Sequence, residues 1–195
     1  MVAKFNVAVI VGSLRQDSLT RRVAEALVGL APETLDCRFV EIGDLPLYTE
    51  DLDGRPPEAW ERFRDEIRSV QAVLFATPEY NRSVPGGLKN AIDVGSRPPF
   101  KSVWDGLPTA IVSVSPYKLG GFGANHHLRQ SLVFLNMPVL QQPEAYLTEA
   151  GGLFVEDGQL TEEAKAFLAQ VMAAFARWVG LIRAADDLAA EVAGR

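Results

Sequence analysis

Apolar residues along this chain occur in two alternating arrangements, and their alternation indicates the fold class. Continuous apolar runs of strand length occupy residues 5–11, 72–77 and 109–114. Such runs are typical of strands whose two faces are both covered, as in a parallel sheet. Residues 37–42 and 137–141 are weaker candidates for two further strands.

Between these runs, apolar residues recur every three or four positions, which predicts amphipathic helices. The predicted helices begin near Leu19, after Pro56 and Pro57, at Pro85, at Ala124 and at Thr161, and the last continues to about Ile182. Strands that alternate with helices predict an α/β fold, a doubly wound five-stranded parallel sheet with helices on both faces. We predict one domain over residues 1–183 and a C-terminal tail over residues 184–195 that is either a frayed helix or a helix docked on a partner.

Composition and charge narrow the class of protein. The 195 residues carry a formal net charge of −6 and the arginines are dispersed, so we expect no nucleic-acid partner. No apolar stretch approaches the roughly 20 residues of a membrane span, so we expect no membrane insertion. The single cysteine, Cys37, cannot form an internal disulfide, which favours a cytoplasmic location, and we expect it to lie buried in a strand.

The order 2-1-3-4-5, which we predict for the five strands, locates the binding site. In this order the sheet grows in opposite directions from strands 1 and 3, which opens a crevice at their carboxyl ends where ligands bind. The loops after strands 1, 3 and 4 should therefore carry unusual residues, and each of them does. The first loop lacks the glycine patterns of Rossmann dinucleotide sites and of nucleoside-triphosphate P-loops, which disfavours both.

The loop after strand 1 offers donors for an anion. Its donor side chains precede or open the first helix: Ser13, Arg15, Ser18 and Thr20. Backbone N–H groups at a helix N-terminus attract phosphate and other anions. Arg21 and Arg22 then oppose the helix dipole unless a bound anion offsets them. The alternative is that Asp17 or Ser18 only caps the helix and that the two arginines are solvated.

The loop after strand 3 is a short polar tip between Pro78 and Pro85. The prolines fix their own backbone angles, so the tip is stiff and suits a flat ligand. Other roles are open, since Glu79 could pair with an arginine and Tyr80 could lie at a subunit contact. On the following helix, structural polar contacts are expected of three residues: Lys89, Asn90 and Asp93.

The loop after strand 4 begins at Ser115 and has three glycines within residues 120–123. It could cover one face of a bound ring or be a loose connection. The adjacent His126 and His127 diverge by about 100° on a helix, so they cannot bind one metal as an i, i+4 pair would. The sequence shows no pattern that pairs a nucleophilic side chain with a general base. If the protein is an enzyme, we therefore expect a cofactor to carry out the bond-making and bond-breaking steps.

Two segments resemble one known family. GSLRQDSLTRRVA, residues 12–24, resembles the phosphate-binding motif G-S-x-R-x-x-S-x-N-x-x-x-A of the NADPH-dependent FMN reductases. TPEYNRSVPGGLKNAIDVGSR, residues 77–97, is similar to their T-P-E-Y-N-x-S-x-P-G-x-L-K-N-A-I-D-W segment. Residues 120–144 look like the branch that contains quinone and chromate reductases, so the resemblance covers about residues 5–182.

The resemblance implies a flavodoxin-like fold, non-covalent FMN and a homodimer or homotetramer. It also implies hydride transfer from NAD(P)H through FMN to a small-molecule electron acceptor, a quinone or possible surrogates such as chromate and azo compounds. By position, the residues around the FMN phosphate would be Ser13, Arg15, Ser18, Leu19 and Thr20. Those lining the isoalloxazine would be Pro78, Glu79, Tyr80, Asn81 and Arg82, with Ser115 and Gly121 approaching from the strand-4 side.

Two residues depart from the family pattern. Thr20 replaces the usual asparagine, and Val94 replaces the usual tryptophan near the partner subunit or the rim of the flavin site. An alternative function is an electron-carrying flavodoxin without nicotinamide turnover, and another is a ligand-binding protein that has lost flavin. The choice between NADH and NADPH is open among four basic residues: Arg82, Arg97, Lys101 and Lys118.

Overall fold

The computed structural model describes residues 4–194 and confirms a five-stranded parallel sheet of order β2-β1-β3-β4-β5. The strands are β1 (Phe5–Val11), β2 (Leu35–Phe39), β3 (Ala72–Pro78), β4 (Thr109–Val114) and β5 (Ala145–Leu147). The helices are α1 (Leu19–Gly29), α2 (Glu58–Arg68), α3 (Gly86–Gly95), α4 (Phe122–Phe134) and α5 (Glu162–Ala193). Two 3₁₀ turns, Glu50–Leu52 and Ala150–Leu153, lie in the connections.

The sheet separates two hydrophobic cores. Ala8 and Ile10 of β1 pack with α2, α3 and α4 on one face, whereas Val7 and Val9 pack with α1 and α5 on the other. Alternate residues of a strand point to opposite faces. Because both faces are covered, β1, β3 and β4 are apolar at nearly every position, and this explains why the sequence predicts them well.

The weaker strand predictions were less accurate. The second strand lies at Leu35–Phe39 rather than at residues 37–42. The prediction of a fifth strand at residues 137–141 is wrong, because this segment contributes only an isolated bridge from Val139 to Thr109, and β5 follows it. Pro138 and Pro143 have no backbone N–H, so a regular ladder does not extend through this segment.

A tryptophan fills the space at the end of α3. The Trp104 ring lies 5.8 Å from Phe63 and 6.0 Å from Phe75 between centroids, and its Nε1 donates to a carbonyl of α3. A Cβ on Gly95 would lie 2.5 Å from this ring. Val94 is fully buried beside it. The Val94 side chain itself is thus part of the core and does not reach the surface.

Helix α5 is longer than predicted, because the segment expected as a tail continues the helix to Ala193. Among the described residues, α5 is the one helix with the length and composition of a membrane span, so the expectation that no stretch reaches that length is too strong. Its buried residues, which include Leu168, Met172 and Phe175, pack against the sheet as in a core helix. Arg183 donates to the carbonyls of Gln71 and Gly106, and beyond it the helix is exposed.

Candidate functional site

The loops after β1 and β3 touch each other at the carboxyl edge of the sheet. The Gly12 backbone N–H donates to the Ala76 carbonyl at 2.8 Å. A Cβ on Gly12 would lie 3.1 Å from Leu88 Cδ2, 3.2 Å from Thr77 Oγ1 and 3.4 Å from the Pro78 ring. A side chain at this position would be crowded, and glycine lets the first loop lie directly against the bend at Pro78.

The N-terminus of α1 has a neutral cap. The Ser18 side chain is buried and its Oγ accepts a hydrogen bond from the Arg21 backbone N–H at 3.1 Å, and no acidic residue lies in the first turn. The cap uses one acceptor position of the hydroxyl, so its O–H is free to donate. Ser18 can thus cap the helix and donate to an anion at the same time, and the two interpretations of this residue are compatible.

The arginines of the first turn have protein partners. Arg21 pairs with Glu25 at 3.2 Å and with Glu41 at 3.0 Å, and Arg22 lies over the Phe154 ring at 4.2 Å. The carboxylates offset the unfavourable interaction of Arg21 with the helix dipole, so no bound anion is needed to explain it. Within residues 4–194, exposed Arg15 forms no ion pair, which leaves its guanidinium available to a ligand.

A cavity of about 560 Å³ lies over the first loop. Its lining combines that loop with the segment after β2: Ser13, Leu14, Arg15, Gln16, Arg21, Glu41 and Gly43. A Cβ on Gly43 or on Gly87 would lie 3.3 Å from Leu14, so Leu14 packs between the β2 segment and α3. The sequence did not predict that the segment after β2 lines the cavity, although Gly43 shortly after a strand was a usable signal.

The tip after β3 is a two-residue hairpin turn. Tyr80 and Ser83 exchange backbone hydrogen bonds of 2.9 and 3.0 Å, and the residues between them have positive φ, 51° at Asn81 and 65° at Arg82. Positive φ at both central positions defines a type I′ turn, which favours Asn-Gly. Asparagine tolerates this conformation, whereas arginine is disfavoured there by about 1 kcal/mol. The tip is closed by its own backbone hydrogen bonds and is strained at Arg82.

Glu79 joins the tip to α4. Its Oε1 accepts from Arg82 Nη1 at 3.0 Å, and its Oε2 accepts from the Ala124 backbone N–H, in the first turn of α4, at 3.0 Å. The Glu79 side chain is only 11% exposed. A Cβ on Gly123 would lie 2.9 Å from Glu79 Oε2 and 3.0 Å from the Arg82 carbonyl oxygen. Both oxygens of the Glu79 carboxylate therefore make contacts within the protein. One of these contacts is the pairing with an arginine, which was one of the alternatives for Glu79 in the sequence analysis.

The glycine-rich loop after β4 is packed closely rather than loose. Gly121 caps α4 with φ 74°, and a Cβ there would lie 2.9 Å from Ser113 Cβ. Ser113 Oγ donates to the Gly120 carbonyl at 2.7 Å. Ser115 Oγ accepts from the Tyr117 backbone N–H at 3.1 Å. Both predicted site residues of this loop, Ser115 and Gly121, are consequently buried.

The structure brings the predicted site residues to one edge of the sheet with different exposures. Exposed side chains belong to Arg15, Tyr80, Asn81 and Arg82, and partly exposed ones to Ser13, Leu19, Pro78 and Glu79. The buried members are Ser18, Thr20, Ser115 and Gly121. The three residues of α3 that were expected to make structural contacts do so. Lys89 Nζ forms an ion pair with Asp93 Oδ1 at 2.7 Å, and the Asn90 side chain hydrogen-bonds to backbone groups of residues 45–48.

The histidines belong to polar contacts that the sequence did not predict. His126 Nε2 lies 2.9 Å from the Tyr146 hydroxyl, which donates to Glu144 at 2.8 Å. Burial, together with the neighbouring Glu144 carboxylate, raises the pKa of Tyr146 to about 12. His127 Nδ1 lies 2.7 Å from Ser83 Oγ, at the base of the tip. The two imidazoles face different neighbours, as their adjacent positions on a helix require.

Comparison with known proteins identifies the family. The model of a family described as NADPH-dependent FMN reductase matches residues 5–152. A quinone reductase of Pseudomonas putida is 62% identical over 181 residues, which cover 92% of this chain and 97% of that protein. A 2-hydroxy-1,4-benzoquinone reductase of a Burkholderia species is 41% identical over 174 residues, 89% of this chain and 95% of the relative.

A solved structure agrees with these relatives. The flavoenzyme NAD(P)H:(acceptor) oxidoreductase FerB of Paracoccus denitrificans superposes with a TM-score of 0.85 at 40% identity, covering 90% of this chain and 97% of FerB. The five-stranded fold and the family expected from the two motifs agree with these matches. The chain belongs to the NADPH-dependent FMN reductase family and is an oxidoreductase that uses FMN and NAD(P)H.

Proposed function

We propose that this FMN-dependent NAD(P)H oxidoreductase reduces quinones. The observation that carries the proposal is the similarity to the quinone reductase of Pseudomonas putida at 62% identity along nearly the whole chain. The benzoquinone reductase of Burkholderia supports the same acceptor class. Bound FMN supplies the chemistry by accepting hydride from the reduced nicotinamide and passing two electrons to the acceptor, while the protein binds and orients the reactants.

The charges at the helix N-termini support a phosphate site on α1. Helices that follow parallel strands begin at the carboxyl edge of the sheet, so several N-termini meet there. The N-terminus of α4 already binds the Glu79 carboxylate, which would repel a second anion. The N-terminus of α1 is capped only by the neutral Ser18 and follows Arg15 closely in the chain. We assign the FMN phosphate to this loop, with Ser13, Arg15, Ser18, Leu19 and Thr20 around it.

The flavin ring would lie on the stiff tip and the loop after β4. Pro78, Tyr80, Asn81 and Arg82 would contribute backbone groups and the Tyr80 ring, and Ser115 and Gly121 would close the other side. Glu79 would contribute through its backbone, because its carboxylate is held by Arg82 and Ala124. Because the tip is already closed by its own backbone hydrogen bonds, it would bind a planar ligand without being reordered.

We also propose a homo-oligomer that contacts itself through α3 and α4. Phe134 is 88% exposed and Val133 is 70% exposed on α4. A groove of about 390 Å³ between the two helices is lined in part by Lys89, His127 and Phe134. Large exposed apolar side chains beside a groove are typical of subunit contacts.

The single, half-buried Cys37 is compatible with the cytoplasm, which we propose as the location.

An absorbance experiment tests the proposed function. Purified protein should show oxidised flavin, bleach when NADPH is added without oxygen, and regain its absorbance when a benzoquinone is added. Protein that holds FMN but does not bleach with NADPH or NADH would be an electron carrier instead. Protein that neither retains nor binds FMN would contradict the proposal.

A further inference from the structure

We propose that Glu79 is a positioning residue that holds Arg82 in its left-handed conformation and thereby fixes the tip for FMN. The inference deepens the proposed function and rests on it for the identity of the ligand. Glu79 acts through Arg82 and through the first turn of α4, since its carboxylate contacts these two partners and is nearly buried.

The backbone of the tip shows why Arg82 needs a restraint. A φ of 65° is unfavourable for a residue with a Cβ, and a type I′ turn would be most stable with glycine at this position. Arg82 is 72% exposed, so burial of its side chain does not hold it in place. Its ion pair with Glu79 at 3.0 Å is the side-chain contact, among the described residues, that opposes relaxation of the turn.

The second oxygen of Glu79 makes the restraint rigid. An exposed ion pair three residues apart contributes little by itself, because both side chains move freely. Here the carboxylate is fixed by the Ala124 N–H, which would otherwise have no intrahelical partner. Gly123 lets the helix terminus approach both Glu79 and the Arg82 carbonyl. The tip is therefore attached to α4 rather than only folded on itself.

Hydrogen exchange in FMN-free protein tests the positioning role. We expect Glu79→Ala to speed exchange of the Tyr80 and Ser83 amides about tenfold or more, because both close the turn. Arg82→Gly makes the left-handed conformation favourable without the ion pair. In that background, Glu79→Ala should change the same amides less than threefold. Asp65→Asn, which breaks another i, i+3 ion pair on α2, should leave them unchanged.

FMN affinity gives the second readout on the same variants. Glu79→Ala should weaken FMN binding about tenfold with Arg82 present and less than threefold in the Arg82→Gly background. Equal effects in both backgrounds would mean that Glu79 only caps α4 and would overturn the inference, as would no effect of Glu79→Ala on exchange. If the wild-type protein did not bind FMN, the proposed function would fail, while the exchange data would still decide the role of Glu79.

Discussion

The guanidinium of Arg21 lies 3.0 Å from the carboxylate of Glu41, on the segment that follows β2. This contact joins the start of α1 to a neighbouring loop and offsets a cation whose conflict with the helix dipole the sequence analysis had linked to a bound anion. Arg22 is likewise engaged, over Phe154. Of the three arginines near the start of α1, Arg15 is thus the one left for the ligand within the described chain.

Arg15→Ala should therefore weaken FMN binding about tenfold or more. A hydrogen bond to a charged group contributes about 1.5–3 kcal/mol, which corresponds to roughly a 10- to 100-fold change in affinity. Arg22→Ala is the matched control and should change the dissociation constant little. Fluorescence titration of FMN measures both variants, and equal losses would contradict the assignment of Arg15.

Gly12→Ala should weaken FMN binding and destabilise the fold by about 1–2 kcal/mol. The new methyl would press on Leu88, Thr77 and Pro78 at 3.1–3.4 Å and push the two loops apart. Gly29→Ala in α1 is the control, since a Cβ there has no neighbour within 4 Å. We expect this variant to be neutral or more stable, because alanine favours helix. Urea unfolding and FMN titration on both proteins check the difference.

Gly95→Ala should destabilise the protein by about 3 kcal/mol and leave the FMN affinity of the folded fraction unchanged. The added methyl would lie 2.5 Å from the Trp104 ring, which is fully buried and packed against Phe63 and Phe75. Chemical denaturation followed by tryptophan fluorescence measures the loss. An unchanged unfolding midpoint would mean that Trp104 repacks without difficulty.

Cys37 gives a pH-dependent prediction. Burial, with a smaller contribution from Asp36, raises the pKa of this thiol from 9.0 to about 11. Between pH 9 and 11 the thiol of the unfolded chain has lost its proton while the native thiol keeps it, so the free energy of unfolding should fall across this window. Below pH 9 this contribution is fully present.

Unfolding titrations of the wild type and Cys37→Ala measure that contribution as the difference between their pH profiles. The two profiles should run in parallel below pH 9 and converge from pH 9 to 11. Native protein should also react slowly with iodoacetamide at pH 8, because the thiolate is the reactive form. Rapid alkylation of native protein would show that the site is more open than the structure indicates.

If the proposed homo-oligomer forms through α3 and α4, Phe134→Asp should dissociate it. The side chain is 88% exposed at the α3–α4 groove, so a carboxylate would oppose burial there without disturbing the core. Leu188→Asp, on the exposed part of α5, is the control and should not change the mass. Sedimentation equilibrium measures both, and dissociation by Leu188→Asp alone would move the subunit contact to α5.

Elements buried on both faces could be predicted from sequence, and long-range partners could not. The continuous runs of β1 and β4 coincide with the observed strands, because burial on two faces leaves few polar positions. β5 was misplaced since it has three residues and follows two prolines. Turn chemistry predicted a stiff bend near Pro78, but not that Arg82 would take a positive φ.

The sequence placed the candidate site residues in loops at one edge of the sheet, whereas their contacts required the fold. Glu79 was expected to line a ring, and its pairing with an amide 45 residues away has no local signal. One of the two partners of Arg21, Glu41, lies 20 residues along the chain on the segment after β2. The strand order therefore predicted that the loops after β1, β3 and β4 meet, but not which carboxylate pairs with which cation.

The brevity of β5 also bears on how the protein behaves when concentrated. An unpaired outer strand presents N–H and C=O groups to which a strand of another molecule can add, which is a route to fibres. At one edge of this sheet, β5 has only the three residues Ala145–Leu147. Three residues form too few hydrogen bonds for a stable ladder with a strand of another molecule. At the other margin, β2 displays exposed charges at Asp36 and Arg38. Both edges therefore disfavour the addition of a strand from another molecule. This protects against aggregation a sheet whose interior strands are almost entirely apolar.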